Sequence, residues 1–292
     1  MTTLLLPKGK RAGLRQQIAS EFTKLRSVRS SWVCLVLMVV LSIGFSILFP
    51  AIIANGWSTR SPAERINFDP VSVTQFGIIF GQLVIAVFAI LAITPEFSNG
   101  SIRSTLAAQP RRSDVIAAKA IVLAVTTFVV TEICSFAAFF VGRAVLLAFG
   151  GHAVAGELTL AQQLKATAAP VLSLGAPGVL QAVFGGGLYL TLIALIALGL
   201  GILLRSTPGS ISLFVALLLI IPGVFQALPH SISHLVEPRL PSNLGAAMTS
   251  VHVRSTDFGG QLLSPWLAVG LMVLYGVLLV GLGLWRFSRR DA

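Results

Sequence analysis

The chain has 292 residues, of which 55% are hydrophobic and only 11% charged, with a mean hydropathy of +0.89. A soluble domain carries about 25% charged residues, so charge this sparse excludes an ordinary soluble globular protein and requires much of the surface to face lipid. The formal net charge of +11 raises nucleic acid as a partner, but the placement of that charge along the chain excludes it, as shown below.

Residues 1–12 are basic and contain Pro7 and Gly9, and are predicted to carry no regular structure. Leu4–Leu6 precede the charges and the first long apolar run starts only at Trp32. That is the reverse of a cleaved signal, so the first span is expected to be the insertion anchor. From Gly13 to Ser30, Leu14, Ile18, Phe22, Leu25 and Val28 recur at helical spacing. Arg15, Gln16, Glu21, Lys24, Arg26 and Arg29 fall largely off that stripe, which predicts an amphipathic helix lying along the inner membrane surface.

Roughly 20 residues of helix cross the hydrocarbon core. Six apolar runs are long enough, and they predict an all-α integral membrane protein with transmembrane helices at 32–54, 71–94, 115–141, 179–204, 211–228 and 266–285. The fourth is long enough to tilt, and the fifth is the shortest and holds Pro222. Outer loops are expected at 55–70, 142–178 and 229–265, with a surface helix over 158–168. The last loop carries Pro238, Pro241 and Asn243 and is half apolar, so its helices are expected to dip into the outer leaflet under protein cover. The inner loop 205–210 reads as a polar turn. No internal repeat is visible. Cys34 and Cys134 sit at different depths within spans and read as buried apolar residues.

The connection between spans two and three, "PEFSNGSIRSTLAAQPRRSDVIAAKA", is far longer than a turn requires. Thr94 and Pro95 suit a helix start, Glu96 favours its dipole and Pro110 ends it, predicting one cytoplasmic helix over 95–109. Ile102 and Leu106 share a face, Arg103 lies off it, and Gly100 allows close backbone approach. These are features of a docking element.

With six spans and an inner amino terminus, 15 of the 21 basic residues fall inside, among them Arg103, Arg111, Arg112 and Lys119. Acidic residues divide almost evenly, with four inside and five outside. This positive-inside pattern places both termini in the cytoplasm and accounts for the net charge as a topology signal plus attraction to anionic headgroups. Glu132 is the one charge well inside a span, at a depth comparable to Gln82. A Glu132–Gln82 hydrogen bond is expected, serving either a transport path or interhelical adhesion. His230 and His234 are four residues apart without a clear third ligand, so they read as a helix face and no metal site is expected.

The surface helix ending "EFTKLRSVRSSW", the connector, six spans and "LPSNLGAAM" before the last span together resemble the permease subunits of the ABC type-2 exporter family. The resemblance covers nearly the whole chain, and "KLRSVRSSW" is similar to the wording of actinobacterial members. It implies that the connector is a coupling helix seated in a groove of a separate ATP-binding subunit. Glu96, Gly100, Arg103, Leu106, Pro110, Arg111 and Arg112 would then lie at or near that interface. It also implies that the surface helix, with Leu14, Ile18, Phe22, Leu25 and Arg26, packs beside the coupling helix, and Glu96 is expected to pair with Arg26.

No Gly-x-x-x-x-Gly-Lys-Ser/Thr motif occurs in the sequence. The chain is therefore expected to be no enzyme itself. ATP and magnesium would be bound by two copies of the partner ATPase. A second permease subunit, identical or related, would complete a central path lined mostly by apolar side chains, suited to an amphipathic or lipid-like cargo such as a drug, antibiotic, lipid or peptide. The expected setting is the inner or plasma membrane, with lipids as partners and no nucleic acid. Two alternatives stand beside this reading. One is a proton-coupled secondary transporter using Glu132, and the other is a non-transporting assembly or signalling subunit.

Overall fold

Backbone groups in lipid find no water, so a spanning segment must satisfy its hydrogen bonds within itself, as a helix does. The computed structural model follows this rule: among the described residues it is helical with no strand. It describes residues 13–59, 68–108, 111–164, 172–226, 234–251 and 262–289. The tail 1–12, Pro110, His230 and parts of the three outer loops lie outside them.

Helix α1 (Leu14–Ser27) and helix α2 (Arg29–Asn55) meet at Val28, whose extended backbone makes the corner between them. Then come α3 (Pro70–Thr74) and α4 (Ile78–Leu91), followed by α5 (Thr94–Ser98) and α6 (Ser101–Ala108). Helix α7 is Arg112–Leu164 and α8 is Val179–Leu204. The fifth span consists of α9 (Thr207–Val215), a π turn Ala216–Ile220, and α10 (Ile221–Gln226). Helix α11 (Pro241–Thr249) precedes α12 (Pro265–Arg289).

Helix α8 is the axis of the bundle. It packs against α4, α7, α11 and α12, while α2 lies on α4 and α7. Ile193, Ala194, Ala197 and Leu198 of α8 are fully buried. Val33, Val125, Ile133 and Val277 point outward, as side chains facing lipid do. Lipid tails are as apolar as leucine, so cohesion between spans comes from close packing and interhelical hydrogen bonds, each worth about 0.6–2 kcal/mol. Thr131 Oγ1 donates to the Gly187 carbonyl at 2.8 Å and Ser135 Oγ to the Val183 carbonyl at 2.6 Å, pinning α7 to α8. Gln75 Nε2 donates to the Ser135 carbonyl at 3.2 Å, tying in the turn between α3 and α4.

The helices depart from the predicted spans where backbone chemistry intervenes. The second run is split because Asp69 starts a short helix by accepting from Val71 N and Ser72 N, and the chain turns at 75–77 before α4 begins. The third helix does not stop near 141 but runs unbroken to Leu164. The fifth span carries its π turn immediately before Pro222, which has no N–H to offer the preceding carbonyls, so the ladder slips by one residue there. The predicted polar turn 205–210 is mostly helix, since Ser206 caps α9 by accepting from Gly209 N.

Candidate functional site

The polar chemistry concentrates at the basic end, where α1, α5, the start of α7 and the end of α12 come together. Helix α1 turns an unexpected face to the protein. Gln17 and Glu21 are its buried residues, while Leu14 and Phe22 are exposed. Ile18 is half-buried and Leu25 packs against the main core. Leu14 and Phe22 of the apolar stripe thus point away from the bundle, and the polar side at positions 17, 21 and 24 faces inward.

That inward side meets a cation from α7. Lys119 Nζ lies 2.6 Å from Glu21 Oε2, 3.0 Å from Glu96 Oε1 and 3.0 Å from the Ala92 carbonyl at the end of α4. Lys24 Nζ bridges the same two acids, at 2.6 Å to Glu21 Oε1 and 3.4 Å to Glu96 Oε1. Lys119 is 7% exposed, Glu21 6% and Glu96 15%, whereas Lys24 is 43% exposed. Two carboxylates and two ammoniums form a neutral junction joining three separate chain segments. A cation at the carboxyl end of α4 also suits the dipole of that helix.

The expected partner of Glu96, Arg26, is not the one found. Arg26 is exposed, and its carbonyl accepts from Trp32 Nε1 at 2.9 Å. Arg26 follows the inward positions 17, 21 and 24 off their face, so its side chain points to solvent while Lys119 comes up from below. Sequence reasoning counted Lys119 only as a topology charge and Glu21 only as an off-stripe polar residue. The helical spacing of 17, 21 and 24 was the available signal.

Burial pushes the Glu21 carboxyl up, but the charge and hydrogen bonds of Lys119 and Lys24 outweigh it and hold the group below its ordinary 4.5. For Lys24, burial pushes down and the two glutamates outweigh it, leaving the ammonium above its ordinary 10.5. A depressed acid stabilises the fold above its unfolded value and loses that contribution as pH falls through the folded one. A raised base is stabilising below its unfolded value and loses its contribution as pH rises through the folded one. Helix α1 is therefore expected to stay docked from about pH 5 to 10 and to release below 4.5 as Glu21 protonates. Amide hydrogen exchange over residues 14–27 measures this, and release near pH 8 would contradict it.

The connector is two helices rather than one. Gly100 breaks it with φ of 73°, a left-handed conformation that other residues adopt at a cost, and Asn99 Oδ1 accepts from Ser101 N across the break. Ile102 is 3% exposed within the main core and Leu106 packs against that core, so the apolar face of α6 is turned into its own chain. Ser98, Asn99, Ser101 and Ser104 are exposed. The Arg103 side chain and Pro110 lie outside the described residues, and Arg111 is exposed.

Arg112 reaches the end of α12. Its Nη1 donates to the Phe287 carbonyl at 2.7 Å, and its guanidinium stands 5.5 Å from the Phe287 ring. Arg205, the left-handed residue that ends α8, lies 5.2 Å from the Phe97 ring and 5.6 Å from that of Phe287. The Thr94 and Thr207 hydroxyls are 2.7 Å apart. The connector is thus fastened to the ends of the fourth, fifth and sixth spans as well.

Deeper in the bundle, Gln82 does not meet Glu132. Gln82 Oε1 accepts from the Tyr189 hydroxyl. Both Glu132 oxygens are buried without a hydrogen bond among the described residues. The carboxylate presses on Gly187, where a Cβ would lie 2.5 Å from Glu132 Cδ. Tyr189 on the central helix takes the Gln82 oxygen instead, so the two polar groups have different neighbours.

Among the described residues, six helices are long and apolar enough to cross a membrane, and they define a multi-pass integral membrane protein with a polar junction at one end. The description "ABC-2 family transporter protein" matches residues 18–292, and the chain belongs to that family. It is the membrane-spanning permease component of an ABC transporter, a class that associates with an ABC ATP-binding subunit. No curated protein matches the chain.

Proposed function

We propose that the chain is the transmembrane subunit of an ATP-driven exporter. Helices α5 and α6 engage the ATP-binding subunit from the cytoplasm, and both termini lie on that side. The observation that carries this reading is the junction at Lys119. It joins the surface helix, the connector and the third span, so a push on the connector is delivered to the membrane helices rather than absorbed by a loose loop. The face offered to the partner is the polar one, with Asn99, Ser101, Ser104 and Arg111, and the family resemblance adds Arg103. Leu106 anchors the connector from behind.

Two permease subunits, identical or related, would flank a path between the second and fifth spans, with an ATPase on each connector. The π turn in the fifth span gives that helix a place to bend. Few charges line the second and fifth spans, which suits an amphipathic or lipid-like cargo.

The test is co-purification of tagged protein with the ATPase encoded beside it. Arg103→Glu with Arg111→Glu is expected to reduce the captured ATPase at least about tenfold while the permease still folds. Unchanged capture and unchanged transport would sink the coupling role. The unpartnered Glu132 is the observation favouring a proton-coupled reading. Uptake into vesicles driven by a proton gradient without ATP would establish it.

A further inference from the structure

A cavity of about 260 Å³ opens beside the junction, in the corner where α1 turns into α2 and meets α4, α5 and α7. It borders the junction that carries the coupling reading and shares Asn99 with the polar face of the connector, but the inference drawn from it rests only on the cavity and on the chain's position in a membrane. Its floor is apolar, with Leu91, Val122 and Leu123, while Lys24, Ser30 and Asn99 stand among its polar lining. Glu21 and Glu96 also line it, and Lys119 and Lys24 together neutralise them. Lys24, 43% exposed, is the ammonium of that neutral set open to solvent, and the net positive charge of the corner comes from Arg26 and Arg29, exposed residues of the same α1–α2 segment. The cavity therefore offers donors and positive charge at its mouth and hydrocarbon below.

We propose that this cavity holds one anionic glycerophospholipid of the adjoining leaflet. The phosphate meets Lys24, Ser30 and Asn99, and the upper acyl chains lie over Leu91, Val122 and Leu123. Beyond the cavity, the exposed Val33 of α2 and Ile121 of α7 continue the apolar surface along which the chains run. The size approaches that of small-molecule sites, about 300–1,000 Å³, and suffices for a headgroup whose tails remain in the bilayer. Basic side chains at a membrane surface attract anionic lipid, a bias without a defined position. Here the corner supplies the position. A soluble phosphate ester would leave the floor uncovered, which is why the lipid is the occupant that fits both halves of the lining.

The experiment is native mass spectrometry and thermal unfolding of the full chain after exchange into nanodiscs. Discs of phosphatidylcholine alone are compared with discs containing phosphatidylglycerol. Wild type is expected to retain about one phosphatidylglycerol per chain and to unfold at a higher temperature in its presence. Val122→Phe narrows the floor and Ser30→Phe blocks the mouth. Each is expected to lower retention at least fivefold, and the exposed Ser30 site covers the case in which Val122→Phe does not fold. Equal retention of phosphatidylcholine and phosphatidylglycerol would overturn the proposal. So would wild-type retention in both variants, which would place the lipid elsewhere, for example in a transport path. An equal thermal shift from soluble glycerophosphoglycerol would make the ligand a free phosphate ester instead. Loss of the lipid on adding the ATP-binding subunit would assign the corner to that partner.

Discussion

Lys119→Met is expected to unfasten the basic end of the protein. The substitution keeps an unbranched side chain, one atom shorter, and removes the charge, leaving Glu21 and Glu96 facing each other behind Lys24 alone. Removing one member of a buried ion cluster costs about 3–5 kcal/mol, because the remaining charges stay desolvated. For a protein of this size, that corresponds to a fall in Tm on the order of 10 °C. Proteolysis should cut α1 first, since α1 packs chiefly on α7. The triple variant Lys119→Met, Glu21→Gln, Glu96→Gln removes the uncompensated acids, and most of the lost stability is expected to return. A loss under about 1 kcal/mol for Lys119→Met would mean that these groups behave as a solvated surface pair. Coupling can then be read separately. If the cluster serves as a mechanical joint, the triple variant should be stable and yet stimulate little ATPase activity in the assembled transporter.

The second large effect is expected at the opposite end. A Cβ at Gly185 would stand 2.2 Å from the Met248 carbonyl oxygen, and the obstacle is backbone that cannot rotate aside. Gly185→Ala must therefore lift α11 from α8, at about 1–3 kcal/mol or more for overpacking. A Cβ at Gly245 would stand 2.5 Å from Tyr189 Cζ, and that ring can shift, though at the expense of its bond to Gln82. Gly185→Ala is expected to lower Tm more than Gly245→Ala. A cysteine placed at Ala247, which is 1% exposed, should become reactive to a membrane-impermeant maleimide in the Gly185→Ala background. If that cysteine stays protected in both backgrounds, α11 is held by something other than this contact.

The number of spans was legible because lipid imposes a single demand, about 20 apolar residues without a break, and that demand shows directly in the residues. The interruptions within the spans were not legible. Apolarity says nothing of whether a helix turns at 75–77, slips a register before Pro222, or continues beyond 141. Those outcomes depend on local caps and on what the neighbouring helix presses against. At the candidate site, Glu96 was recognisable as an acid in need of a cation. The choice between Arg26 and Lys119 required knowing which face of α1 turns inward, and the apolar stripe that usually decides this is divided here, with Leu14 and Phe22 exposed and Leu25 on the core. Likewise, the pairing of Ile102 with Leu106 correctly marked an apolar face, but a face alone does not say whether a chain or its partner covers it.

The unbroken course of α7 has a consequence for reach. Its 53 residues make a rod of about 80 Å, against a hydrocarbon thickness of about 30 Å. Lys119 grips that rod near one tip. A tilt of about 5° imposed there would sweep the far tip sideways by roughly 6 Å, taking the remaining rod as about 70 Å long. A modest rocking at the polar junction would thus arrive on the other side of the bilayer as a displacement wider than a helical turn.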